Sequence, residues 1–241
     1  MNLDLFLAPS DAARVRRSFE KLARRDLHNF ALTGRLAFEA HRIRLGLPPH
    51  PHPLNDLDIA VESFSSIPET LAGDFLVRHI HPHSPEGKML VQLVDPDASL
   101  RIDIFRVYGA TMTRIESFDF GTDRIRAVSL EDLASRAASL LMDLDSGFAV
   151  APKHARDFEF LSQAIDCNRV EVAWRDHRKS TDPLTFEEAR NCIRNLVESR
   201  DDLLVIREYS RDVSAVCPKC RETGPFRLAS PETILSILGH C

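Results

Sequence analysis

Two short segments set carboxylates between large aliphatic residues, and they constrain the fold of this chain more than any other feature. In Asp56-Leu57-Asp58-Ile59 and in Arg101-Ile102-Asp103-Ile104 the acids alternate with Leu or Ile. Successive side chains of a strand point to opposite faces, so each segment, read as a strand, buries its aliphatics on one side and presents its acids on the other. Charged residues are disfavoured in strands this apolar, so their presence asks for a partner. Paired side by side, the two strands would bring Asp103 into one patch with Asp56 and Asp58. Three converging carboxylates repel one another unless a cation sits among them, and hard oxygen donors of this kind suit Mg2+ or Mn2+.

The surrounding pattern reads as α+β. Leu54 to Val61, Met89 to Val94 and Leu100 to Val107 carry alternating or continuous apolar residues and are expected as strands of one sheet. Ser10 is expected to cap a first helix over about residues 11 to 30, with Val15, Phe19, Leu22, Ala23 and Phe30 on its buried stripe. A short apolar Phe30-Ala31-Leu32 meets Thr33-Gly34, and a second helix follows with Leu36, Ala40 and Ile43 on one face. The proline-rich run Pro48 to Pro53 ends it, because proline cannot continue a helix and restricts the residue before it.

Farther along, Ser129 with Asp132 resembles a capping box ahead of Leu130, Leu133, Ala134, Ala137, Leu140 and Leu141. Pro152 fits the first turn of another helix facing Phe158 and Leu161 inward. Thr185 and Glu188 form a further box before Phe186, Ala189, Cys192, Ile193, Leu196 and Val197. These elements divide the chain into a mixed sheet flanked by helices over residues 1–150, a helical region over 151–205 and a small cysteine-containing module over 206–241.

The 241 residues are 44% hydrophobic and 28% charged, with a formal net charge of −5 and a pI near 6.1. Such a chain has no global attraction for phosphate polymers, so contact with nucleic acid would need a local basic surface. Arg14 to Arg44 supplies a candidate, with nine Lys or Arg against Glu20, Asp26 and Glu39. Its ordinary reading is a solvated helix face. The first residues do not read as a secretory signal, and no apolar run is long enough to span a bilayer. Five cysteines, an odd number, fit a reducing compartment. A cytoplasmic protein without membrane contact is expected, of a subunit count the sequence leaves open.

The segments Leu32-Thr33-Gly34-Arg35-Leu36-Ala37-Phe38-Glu39, Asn55-Asp56-Leu57-Asp58-Ile59 and Arg101-Ile102-Asp103-Ile104, in that order, resemble the minimal nucleotidyltransferases of the DNA polymerase beta superfamily over about residues 25 to 165. Within it the chain is most similar to the AbiE-type toxin nucleotidyltransferases, whose Lys and Asp one turn apart are matched by Lys153 and Asp157. The resemblance implies a nucleotidyltransferase-like fold and transfer of a nucleoside monophosphate from NTP, such as ATP, to a hydroxyl of an RNA, a protein or a small molecule. It implies Mg2+ or Mn2+ at Asp56, Asp58 and Asp103, which are also the catalytic acids. It places nucleotide phosphate against Thr33, Gly34, Arg35 and Lys153. Arg35 departs from the small residue usual after the motif glycine, and can either grip a phosphate or fill the nucleotide pocket. An inactive binding or regulatory protein of this fold, or a nucleic-acid adaptor, are the alternatives.

Two further groups invite a metal reading. Cys217 and Cys220 have ligand spacing and, with Cys241 and His240, could hold a structural Zn2+, with Cys192 as a substitute ligand; buried or free thiols are the plainer reading. His79, His81 and His83, with His50 and His52, read as exposed loop histidines, since no carboxylate or cysteine at ligand spacing accompanies them.

Overall fold

In the computed structural model the described residues are 3–5, 7–48, 54, 56–81, 90–120, 123–205, 233, 236 and 237. Cys217, Cys220, His240 and Cys241 therefore lie outside them, as do Asn55, His50, His52 and His83. The chain divides into two compact units, one over Met1–Val107 and Ile115–Ala127, the other over Tyr108–Arg114 and Val128–Asp212.

Among the described residues the first unit holds a mixed seven-stranded sheet and two long helices. Its strands are β1 (Phe30–Leu32), β2 (Asp56–Val61), β3 (Leu76–His81), β4 (Leu90–Asp95), β5 (Leu100–Arg106), β6 (Glu116–Phe120) and β7 (Asp123–Ala127), and its helices α1 (Pro9–Arg24) and α2 (Gly34–Arg44). The strand order is β3-β4-β5-β2-β1-β7-β6. β2 runs parallel to β5 and β1 parallel to β7, while the other neighbours are antiparallel. The three expected strands are β2, β4 and β5, joined by four more. Leu57, Ile59, Ile102 and Ile104, the aliphatics that alternate with the acids, are fully buried.

Several boundaries differ from the sequence expectation. The first helix starts at Pro9 with Ala8 in the cap position, not at a Ser10 cap; proline at the first helical position lacks an N–H that would have been unsatisfied there anyway. It stops at Arg24 instead of near residue 30, where Asp26 takes a left-handed φ of 64° that no helix continues. Phe30 to Leu32 then form β1. His79 and His81 lie in β3, not in a loop, because that segment pairs antiparallel with β4.

α1 is tied to the end of β4 by a buried polar cluster. Asp95 accepts hydrogen bonds from Ser18 Oγ at 2.8 Å, Lys21 Nζ at 2.5 Å and the Ala98 backbone N–H at 3.2 Å. Each carboxylate oxygen thus has a donor, as a buried charge requires.

The second unit is helical: α3 (Leu130–Leu141), α4 (Pro152–Ala164), α5 (Cys167–His177) and α6 (Phe186–Ser199). α3 is the central element and packs on the other three. Ser129 caps it, its Oγ accepting from Asp132 N at 3.1 Å, and Thr185 and Glu188 cap α6 reciprocally, as expected. Phe158, Leu161, Val170, Trp174, Phe186 and Ile193 form the core with the buried face of α3. Trp174 is fully buried, yet its indole N–H reaches Pro183 O at 3.0 Å. No helix of the described residues is long and apolar enough to cross a membrane.

Candidate metal centre

β2 and β5 pair in parallel with Asp58 opposite Asp103 and Asp56 opposite Arg101. Direct partners in a sheet share a face, so all three acids project to the same side. One carboxylate oxygen from each of Asp56, Asp58 and Asp103 lies within 4.8 Å of the others. Asp103 is buried, and Asp56 and Asp58 are half-buried. The expected convergence of these three residues is therefore present.

The start of α2 lies against this patch. Thr33 N donates to Asp58 O at 3.0 Å, fixing the turn between β1 and α2 beside β2. Gly34 then opens the helix with a φ of 61°, and a β-carbon there would overlap the Asp58 carboxylate. Both facts call for glycine, which alone adopts this conformation without cost and leaves room for the acid. The N–H groups and positive dipole end of a helix start thus sit beside a carboxylate cluster.

Arg35 turns along its own helix. Its guanidinium is 2.6 Å from the buried Glu39, one turn on, and stands over the Phe38 ring at 5.1 Å from the centroid. Lys153 is exposed in the first turn of α4, with Asp157 one turn beyond it, and both belong to the second unit. Cys167 and Cys192 are exposed free thiols on α5 and α6.

Two residues that the sequence reading left aside complete the acid face. Arg101, two positions before Asp103 and hence on the same side of β5, pairs with Asp56 and sets its Nε 3.2 Å from Asp103 Oδ1. Gln92, opposite Asp103 on β4, donates to the same oxygen at 3.2 Å. Period-two alternation on β5 carried the signal for Arg101; the signal for Gln92 appears only once the β4–β5 register is known.

The basic stretch of α1 and α2 is largely engaged within its own unit. Arg14 pairs with Asp11 at 2.9 Å, Arg16 with Asp4 at 2.9 Å, Arg25 with Asp74 at 2.7 Å and Lys21 with Asp97 at 2.6 Å. Arg44 pairs with Glu116. The Arg25 and Arg24 guanidiniums hold the Asp74 carboxyl well below the usual carboxylate range, against a smaller opposing effect of burial.

The second unit has a polar cluster that the sequence did not announce. Asp132 on α3 accepts from Arg114 Nη2 at 2.7 Å, Thr111 Oγ1 at 3.0 Å and Ser129 Oγ at 2.5 Å, and its Oδ1 lies 3.0 Å from His177 Nε2. Burial raises the affinity of this carboxyl for a proton, but the hydrogen bonds from His177, Arg114 and Ser129 outweigh it and hold Asp132 well below the usual range. Arg114 also reaches Asp176 at 2.7 Å.

No family model matches this chain, and a comparison with curated proteins found no match. Among solved structures it is similar to ANT(2″)-Ia in complex with adenylyl-2″-tobramycin, at 14% identity and a TM-score of 0.44, over 67% of this chain and 92% of that one.

Proposed function

We propose that this chain is a metal-dependent nucleotidyltransferase that moves a nucleoside monophosphate from a nucleoside triphosphate to a hydroxyl acceptor. The observation that carries the reading is the meeting of Asp56, Asp58 and Asp103 within 4.8 Å beside the Gly34 start of α2. The donor set is three carboxylates with no sulfur or imidazole, which fits Mg2+ or Mn2+. Such an ion, when bound, neutralises triphosphate charge and favours departure of pyrophosphate.

The chain's own residues then have distinct tasks. Asp56 and Asp58 hold the ion, and Asp103 completes the set and accepts the proton of the attacking hydroxyl. A bond forms between that oxygen and the α-phosphorus, and the bond from the α-phosphorus to the pyrophosphate oxygen breaks. Gly34 and Thr33 let the triphosphate approach the N-terminal N–H groups of α2. The pairing of Arg35 with Glu39 draws its guanidinium along α2, which favours an open nucleotide site over a non-catalytic one. Acceptors compatible with this chemistry are an RNA 3′-hydroxyl or a hydroxyl of a protein or small molecule.

Incubation with α-labelled triphosphates, Mg2+ and cell extract tests the assignment. Label transfer by the wild-type protein, lost by at least about a hundredfold in Asp56→Asn/Asp58→Asn, is expected from the size of such electrostatic contributions. Equal transfer by the double variant would contradict it.

A further inference from the structure

Asp103 is a buried carboxylate flanked by two others, and a buried charge needs compensation to be tolerated. Arg101 supplies part of it. Its position on β5 aims it at the acid face, its guanidinium engages Asp56 across the β2–β5 pair, and its Nε approaches Asp103 Oδ1. Three carboxylates whose oxygens meet within 4.8 Å repel one another and so favour a dication among them. An ion shared by all three acids would take oxygens from Asp56 and Asp103, the same two groups that Arg101 engages. Guanidinium and dication therefore compete for the same two carboxylates.

We propose that Arg101 is a built-in counterion of the carboxylate cluster, displaced from Asp56 and Asp103 when a divalent cation binds. The proposal rests on the reading of the cluster as a metal site. It assigns Arg101 two effects of opposite sign: it supports the fold before loading, and it weakens the binding of the ion. A residue that only braced the sheet would give the first effect without the second.

Mn2+ titration of the full-length protein, followed by calorimetry and by the electron paramagnetic resonance signal of free Mn2+, separates these outcomes for wild type, Arg101→Met and Arg101→Gln. Both variants are expected to bind Mn2+ about tenfold more tightly, equivalent to about 1.4 kcal/mol. In EDTA they should melt at a lower temperature than wild type, and Mn2+ should raise their melting temperature by more. Equal or weaker Mn2+ binding by folded variants overturns the proposal while leaving the metal site intact. Should Arg101→Met not fold, Arg101→Gln, which keeps polar contact with the carboxylates, gives the same comparison. Absence of Mn2+ binding in wild type and variants alike overturns both the proposal and the metal reading beneath it.

Discussion

Gly34 joins backbone conformation to the candidate chemistry within a single residue. Its left-handed φ and the closeness of Asp58 mean that Gly34→Ala meets two penalties at once. The backbone part alone costs about 1–2 kcal/mol, and the methyl group must also push the Asp58 carboxylate away from its neighbours. Gly34→Ala is therefore expected to lower stability by about 2 kcal/mol or more and to reduce Mn2+ binding as well. Denaturant unfolding and Mn2+ titration check this, and unchanged binding would show that Asp58 does not need the space. Asp56, Asp58 and Asp103 were legible because strand alternation is a local rule that fixes which residues share a face. The partners of Asp103 were less so. Gln92 comes into contact through the pairing of β4 with β5, which depends on register and not on any motif in either strand.

Among the elements, those specified by short-range chemistry were the ones the sequence announced. Ser129 and Thr185 cap α3 and α6 as their residue types require, and Pro152 opens α4. The three-residue β1 and the short β6 and β7 were missed because so few residues show little periodicity, and their place in the sheet comes from long-range pairing. α5 went unread although Asp166 caps it, accepting from Asn168 N at 2.8 Å. Its C-terminal end carries His177, which joins Arg114 and Ser129 around Asp132 of α3. That network fixes α5 on α3, and its contribution has a definite pH dependence. A carboxyl whose pKa is depressed by folding stabilises the protein above its unfolded pKa of about 3.9, and this stability is lost as pH falls towards the folded value. Asp132→Asn should cost about 3 kcal/mol or more at neutral pH, the usual size for breaking a buried pair. The wild-type protein should then lose stability below about pH 4 more steeply than the variant. Asp74, Asp97 and Asp166 are also held low by their partners but are common to both proteins, so the difference isolates Asp132. Parallel pH curves from urea unfolding would show that the network does not act as a charged unit.

On the scale of the whole molecule, the chain combines a sheet-bearing unit that contains Asp56, Asp58 and Asp103 with a helical unit that contains Lys153. The α+β class and a sheet flanked by helices followed from alternating and helical periodicities taken together. The strand order did not, because β2 pairs with β1 and β5 and skips the two strands that follow it in sequence. The net charge of −5 argues against general affinity for polyanions, and the pairing of Arg14, Arg16, Lys21 and Arg25 with acids of their own unit explains locally how a basic helix can coexist with it. What unites these levels is the claim that residues 56, 58 and 103 form a divalent-cation site. Anomalous diffraction from crystals soaked in Mn2+ addresses it directly. A manganese peak is expected about 2.1 Å from carboxylate oxygens of Asp56, Asp58 and Asp103, with the Arg101 guanidinium moved away from them. A fully soaked crystal with no peak at these three residues would contradict it.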